Sequence, residues 1–126
     1  MKYGPLALSF DFGTQSVRAI LFDKTGEIRG KEKIDYKRPY FSVKPGYCEQ
    51  TADFYWDNMC TVSKMLKESS GELWNDIVAM SVTSLRDVIT CLDKNNNPLR
   101  PFTAWAINGR EVRQNEVSKS LGKAAV

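Results

Sequence analysis

Residues 6–22 read LALSFDFGTQSVRAILF, and this stretch decides the fold. Large apolar residues alternate with smaller or polar ones from Leu6 to Phe12, a period of two that predicts a β-strand. A short polar segment, residues 14–16, follows, and the apolar run 17–22 predicts a second strand. Because so few residues separate the two strands, we expect them to pair as an antiparallel hairpin.

The next elements extend this hairpin into an α/β pattern. The turn DKTG, residues 23–26, predicts a third strand over residues 28–36 and therefore a three-stranded meander. A loop with prolines and glycine spans residues 39–50. Apolar residues at helical spacing then predict a helix that begins after Thr51 and ends before Gly71.

The second half of the chain adds a strand of a different kind. Residues 77–83, IVAMSVT, are almost continuously apolar, which predicts a parallel strand buried on both faces. A hairpin-like strand is predicted at residues 88–92, closed by the loop 93–98, and a C-terminal helix from about Asn108. This order is that of a partial ribonuclease-H-like α/β domain.

Composition narrows the classes of function. The chain has 126 residues, a formal net charge of +3 and no basic stripe, which argues against nucleic acid or an anionic membrane as partner. It has no His, which removes Ser–His and Cys–His nucleophile systems and the commonest zinc sites. Three cysteines, an odd number without metal-ligand spacing, and the lack of a secretory segment predict reduced thiols in a cytoplasmic protein.

The turn between the first two strands is the strongest candidate for chemistry. Asp11 ends one strand, Gly13 allows close approach of the backbone to a ligand, and Thr14 and Ser16 offer hydroxyl donors. Arg18 adds a guanidinium fork, so the segment can hold a polyphosphate, with Mg²⁺ bound through water to the carboxylate. The alternative is an ordinary hairpin whose hydroxyls satisfy turn amides, and spacing alone leaves both open.

Four segments in order along the chain resemble the FGGY carbohydrate kinases. DFGTQSVR, residues 11–18, is similar to the first phosphate motif of the family, D-x-G-T-x-S-x-R. PGYCEQ, residues 45–50, followed by Trp56, resembles P-G-W-x-E-Q and the tryptophan-bearing helix after it. VTSLRD, residues 82–87, resembles the strand-end substrate loop, and residues 92–101, LDKNNNPLRP, the D-x-x-G-x-P-L-R-P turn. The ordered set covers almost the whole chain.

This resemblance implies an enzyme that transfers the γ-phosphoryl group of ATP to a small sugar or polyol, with Mg²⁺. It also implies the actin-like ATPase and sugar-kinase form of the ribonuclease-H-like fold. Family members have two such domains with the active site between them, so residues 1–126 would be the first part of the first domain. The catalytic aspartate of the family lies beyond this segment, and we expect this chain to be inactive alone.

The resemblance further implies roles for individual residues. Asp11 would have a magnesium-linked role, and the phosphates would be bound by a set of loop residues, namely Gly13, Thr14, Gln15, Ser16 and Arg18. Arg86 and Asp87 would hold adjacent sugar hydroxyls at the end of the predicted parallel strand, with a plain surface ion pair as the alternative. Trp105 would contact substrate, although WAINGR, residues 105–110, is one residue longer than the W-x-D-x-R of the family and has Asn in place of Asp.

Two other classes of protein remain as alternatives. An actin-like or chaperone-type ATPase, which uses nucleotide to switch conformation, would have a similar phosphate loop. It would have no obvious use for the segment around Arg86 and Asp87 or for the L-R-P turn. An interaction module without nucleotide would leave unexplained why Asp11, Gly13 and Arg18 converge on one turn. An unfinished sheet also predicts an exposed edge and self-association as a homo-oligomer.

Overall fold

The structure is a computed structural model that describes residues 2–43, 45, 47–86 and 88–103. The predicted C-terminal helix therefore lies outside the described residues. The elements in chain order are β1 (Leu6–Phe12), β2 (Ser16–Phe22), β3 (Ile28–Asp35), β4 (Glu49–Gln50), α1 (Ala52–Ser70), a 3-10 helix (Gly71–Asp76), β5 (Ile77–Thr83) and β6 (Phe102–Thr103). The described residues form two compact units, 2–39 with 53–86, and 40–52 with 88–103.

The first unit contains a four-stranded sheet in the order β3-β2-β1-β5. β1, β2 and β3 pair antiparallel, and β5 pairs parallel with β1. The predicted meander, the helix and the parallel pairing are thus confirmed. They arise from local alternation and tight turns, except for the parallel pair, which needs the helix to return the chain to the same end of the sheet.

One face of the sheet forms the hydrophobic core with α1. The buried apolar residues are Leu6, Leu8, Phe10, Val17, Ala19, Leu21, Tyr36, Val62 and Leu66. Because successive side chains on a strand point to opposite faces, Asp11 and Arg18 lie on the face opposite this core. The alternation of the sequence therefore separates packing residues from candidate site residues.

The turn between β2 and β3, residues 23–27, is organised by the carboxylate of Asp23. Its Oδ1 accepts hydrogen bonds from the Thr25 amide at 2.8 Å, the Thr25 hydroxyl at 2.6 Å and the Glu27 amide at 3.1 Å. Its Oδ2 accepts one from Nε of Arg29 at 2.7 Å. These donors, the Thr25 hydroxyl foremost, hold the pKa of Asp23 well below its ordinary value of 3.8. Gly26 has φ +86°, as the predicted turn requires.

Strand β5 corrects the prediction of a strand buried on both faces. Its bounds and direction are as predicted, but it is the edge of the described sheet. Val78, Met80 and Val82 are 69%, 63% and 52% exposed. The side chains that α1 helps to bury come from β1 and β2, so in the described part of the chain the apolar residues of β5 stay largely uncovered.

In the second unit, β4 pairs antiparallel with β6, a short sheet that the sequence did not predict. The strand predicted at residues 88–92 is wrong, because in the described part of the chain this segment forms only one antiparallel bridge, between Leu92 and Pro98. Oδ1 of Asp93 accepts hydrogen bonds from the backbone amides of Asn95 at 2.7 Å and Asn97 at 2.9 Å, which confirms the predicted loop. The hydrogen bonds of Asp93 stabilise only the adjacent residues, so the bridge is not extended into a β-ladder among the described residues.

Two further observations concern cellular context. Cys48, Cys60 and Cys91 are free thiols. Within the described ranges, no helix is long and apolar enough to cross a membrane. The cytoplasmic location stays a prediction.

Candidate functional site

The candidate site is a row of side chains across the face of the sheet opposite the core. Lys33 on β3 lies opposite Arg18 on β2, Arg18 lies opposite Asp11 on β1, and Asp11 lies opposite Thr83 on β5. Neighbouring strands are about 4.8 Å apart, and paired residues point to the same side. We call these four residues the polar row, and it lies where β1 and β5 reach their carboxyl ends.

Within the polar row, Asp11 and Arg18 form a direct ion pair. Nη1 of Arg18 donates to Oδ2 of Asp11 at 2.8 Å, with the side chains 45% and 41% exposed, respectively. Exposed pairs of this kind contribute about 0–1 kcal/mol to stability. The ion pair therefore orients both side chains but breaks at little cost in free energy, and both side chains are accessible to solvent.

The β1–β2 turn, residues 13–16, adjoins this pair. The amide of Gly13 donates to the carbonyl of Ser16 at 2.8 Å, and the amide of Tyr36 donates to the carbonyl of Gln15 at 2.8 Å. Thr14 and Gln15 form the exposed tip. The turn is thus closed on itself and attached to the end of β3, with its tip open to solvent.

Gly13 has no conformational reason to be glycine. Its φ lies outside the left-handed region, unlike that of Gly26. A Cβ at this position would have its nearest neighbour, the Ser16 carbonyl oxygen, at 3.4 Å, an ordinary van der Waals distance. The packing of the described residues therefore does not explain why this position lacks a side chain.

An aromatic cluster supports the turn from the core side. The ring centroid of Tyr36 is 4.9 Å from that of Phe54 and 6.0 Å from that of Tyr55, and Phe12 lies 6.0 Å from Tyr55. Burial raises the pKa of the Tyr36 hydroxyl, which has no hydrogen-bond partner among the described residues. The cluster joins the end of β1, the end of β3 and the first turn of α1, so it fixes the base of the β1–β2 turn.

The donor set suits a magnesium ion that arrives with phosphate. Among the described residues, no three His, Cys, Asp or Glu side chains gather into a metal cage. Mg²⁺ usually keeps several waters and takes one or two carboxylates together with phosphate oxygens. The exposed carboxylate of Asp11 fits that mode of binding.

Of the residues predicted to bind the sugar, one lies within the described residues, namely Arg86. Arg86 is exposed, three residues after the end of β5, at the same end of the sheet as Asp11. Asp87 and Trp105 lie outside the described residues, so the predicted Arg86–Asp87 pair stays a prediction.

Sequence reasoning missed Thr83 and Lys33 as neighbours of the site. The sequence gives Lys33 no role beyond its place on the predicted third strand, and Thr83 ends a strand that is predicted to be buried on both faces. A signal was present in IVAMSVT, where Ser81 and Thr83 are two positions apart and so share one face. The Ser81 hydroxyl indeed contacts the Ser9 hydroxyl at 3.3 Å.

A comparison with known families identifies the class of protein. The sequence model of the FGGY family of carbohydrate kinases, N-terminal domain, matches residues 6–124. The chain belongs to this family. The family that the ordered motifs suggested is therefore confirmed.

Individual relatives agree with this assignment. Glycerol kinase 1 of Streptomyces avermitilis is 30% identical over 121 residues, which cover 95% of this chain and 22% of the relative. The structure of xylulose kinase from Rhodospirillum rubrum superposes with a TM-score of 0.70 at 26% identity, covering 90% of this chain and 23% of that one. Plasmodium falciparum glycerol kinase with ADP gives a TM-score of 0.63 at 19% identity, covering 81% of this chain and 20% of that one, a likeness of fold. The chain thus spans about a fifth of the length of these relatives.

These comparisons confirm the predicted fold class, an α/β domain of the ribonuclease-H-like, actin-like ATPase and sugar-kinase type. They favour the carbohydrate kinases over the nucleotide-switch ATPases that share this fold.

Proposed function

We propose that the chain is the N-terminal part of an ATP-dependent carbohydrate or polyol kinase. Residues 1–126 would form the first part of the first of two domains. Family membership supports the class of reaction, and the names of the relatives, glycerol kinase and xylulose kinase, support a small polyhydroxylated substrate. The sugar itself is not assigned.

One observation carries the proposal, namely an unobstructed glycine turn next to an exposed Asp–Arg pair. Because nothing in the described chain requires glycine at position 13, its missing side chain leaves room for a ligand on the turn. The ligand that suits such a turn is a polyphosphate, which would be bound by amide and hydroxyl donors and a guanidinium, contributed by Gly13, Thr14, Gln15, Ser16 and Arg18.

Asp11 would hold Mg²⁺ through its water shell. When bound, the ion would neutralise charge on the phosphate oxygens during transfer. The protein's share of this work is positioning, because the β1–β2 turn is held by its own hydrogen bonds and by the aromatic cluster beneath it. Preorganised donors of this kind need no rearrangement when charge develops on the transferred group.

We also propose that Arg86, Asp87 and Trp105 contribute one wall of the sugar pocket. Support comes from the carboxyl end of β5, beside which Arg86 lies, since ligands gather at the carboxyl ends of parallel strands. The general base that deprotonates the attacking hydroxyl would come from a later part of the protein. This chain alone would therefore bind phosphate without catalysing transfer.

The test is an ADP-release assay on the natural full-length protein with ATP, Mg²⁺ and a panel of polyols and ketoses. The 126-residue chain and a full-length Arg18→Ala variant run alongside. We expect turnover that depends on one sugar, by the full-length protein only, with formation of the sugar phosphate. ATP hydrolysis that ignores every sugar would overturn the proposal and favour the switch ATPase.

A further inference from the structure

We propose that Arg18 is the counter-ion of Asp11 when no phosphate is bound, and that it exchanges this carboxylate for a phosphate when ligand arrives. The site would then accept Mg²⁺ as a complex with phosphate and disfavour the free ion. This inference rests on the proposed phosphate-binding function and adds an order of events to it. Arg18 thereby selects the form in which metal enters.

The geometry places the guanidinium in the way of a free ion. Nη1 of Arg18 lies 2.8 Å from Oδ2 of Asp11, and the two side chains are 45% and 41% exposed. A divalent cation at Asp11 would meet a positive charge at contact distance, so the two cations compete for one carboxylate. Free Mg²⁺ must therefore compete with Arg18 for the one carboxylate of the row.

The surrounding charges offer that ion little compensation. Asp11 is the only carboxylate of the polar row, and Thr83 beside it brings a hydroxyl. On the other side of Arg18, Lys33 adds a second positive charge, and its Nζ is 2.6 Å from Oδ1 of Asp35. Each of the two cations is thus paired with one carboxylate, so a free cation finds no unpaired negative charge in the row.

A metal–phosphate complex reverses this balance. It brings anionic oxygens to which the planar guanidinium can bind in a bidentate way, a geometry that suits arginine better than any other side chain. When Arg18 turns to phosphate, the carboxylate of Asp11 becomes available to the water shell of the metal. The exchange costs little because the pair is half exposed and Arg18 only changes partner.

The experiment uses the 126-residue chain, labelled with ¹⁵N, in low-salt buffer, since salt screens exposed charges. Free metal is probed with Mn²⁺, which broadens amide signals near its site, read at Phe12 and Gly13. Phosphate is probed separately with Mg²⁺–pyrophosphate by chemical shift. The variants are Arg18→Gln, Arg18→Lys and, as matched control, Lys31→Gln, which removes one positive charge from the same face of β3 but lies outside the polar row.

We expect Arg18→Gln to tighten Mn²⁺ binding roughly three- to tenfold and to weaken Mg²⁺–pyrophosphate binding by at least about fivefold. Lys31→Gln should change each affinity by less than about twofold. Arg18→Lys keeps the charge without the fork, so it should hold Mn²⁺ affinity near that of wild type while losing part of the pyrophosphate affinity.

Exchange is thus indicated when Arg18→Gln raises the affinity for Mn²⁺ and lowers the affinity for Mg²⁺–pyrophosphate. Equal Mn²⁺ affinities of Arg18→Gln and Lys31→Gln, or weaker binding of both ligands by Arg18→Gln, would overturn it. Failure of the proposed function itself looks different, because wild type would then show no saturable response to Mg²⁺–pyrophosphate and Asp11→Asn would not alter Mn²⁺ broadening. If Arg18→Gln does not fold, as judged by amide dispersion, Arg18→Met, which also removes the charge, is measured in its place against the same control.

Discussion

Two turns of the same meander each carry an aspartate paired with an arginine, Asp11 with Arg18 and Asp23 with Arg29. The side chain of Asp23 is 4% exposed and accepts four hydrogen bonds, whereas that of Asp11 is 41% exposed and accepts one from Arg18. The carboxylate of Asp23 stabilises the backbone of its own turn, and its acceptor sites are already occupied. It therefore has no free acceptor site for a ligand. The comparison teaches that the same pair of residue types stabilises one turn and leaves the other available for binding.

The largest expected effect comes from breaking the exposed pair. Arg18→Ala in the full-length protein should lower kcat/KM for ATP by about 100-fold or more, because a charge-stabilising donor is lost from the transferred group. Steady-state kinetics checks this. The unfolding midpoint of the same variant should move by no more than about 2 °C, and a large fall in stability would show that this pair is structural as well.

Breaking the buried pair should have the reverse profile. Asp23→Asn removes the charge that four donors converge on, so the thermal unfolding midpoint of the 126-residue chain should fall by about 5 °C or more. Differential scanning calorimetry measures this. Mg²⁺–pyrophosphate binding by the folded variant should stay near the wild-type value, and its loss would mean that the two turns are coupled.

The Asp23 turn should also make the stability of the chain depend on pH. The folded pKa of Asp23 lies below the ordinary value of 3.8, so the unfolded chain takes up its proton first as the pH falls. Its contribution to stability is present above about pH 4 and is lost at lower pH. Asp93, whose pKa is lowered chiefly by the Asn97 amide, acts in the same direction.

Urea unfolding from pH 5 downward measures this loss. In Asp23→Asn the decline below about pH 4 should be shallower than in wild type. An equally steep decline in Asp23→Asn would contradict the role given to this carboxylate.

The smallest expected effect concerns the glycines of the two turns. Gly26→Ala places a side chain at φ +86° and should cost about 1 kcal/mol of stability. Gly13→Ala should change stability by less than about 0.5 kcal/mol, since its Cβ meets only an ordinary contact, yet it should weaken pyrophosphate binding. Chemical denaturation and pyrophosphate titration of both variants make the test, and normal binding by Gly13→Ala would remove the main support for the phosphate turn.

Much of the fold could be predicted because its signals are local. The first three strands, the helix and the bounds of β5 follow from periodicity and turn residues within short windows. The pairing of β4 with β6 could not be predicted, because two-residue strands carry no periodicity and lie far apart in sequence. The strand expected at residues 88–92 failed because apolar residues make a ladder only where a partner strand lies alongside.

The sequence by itself determined the meander, the motif from Asp11 to Arg18 and, through the ordered segments, the family. Only the tertiary structure decided that four residues form one row, namely Lys33, Arg18, Asp11 and Thr83. Thr83 pairs with Asp11 because β5 lies parallel to β1, although α1 separates the two strands in the sequence. It also decided in which of the two Asp–Arg pairs the carboxylate is saturated by hydrogen bonds from its own turn. Hydrogen-bond saturation and exposure are properties of neighbours in space, and residue spacing along the chain does not record them.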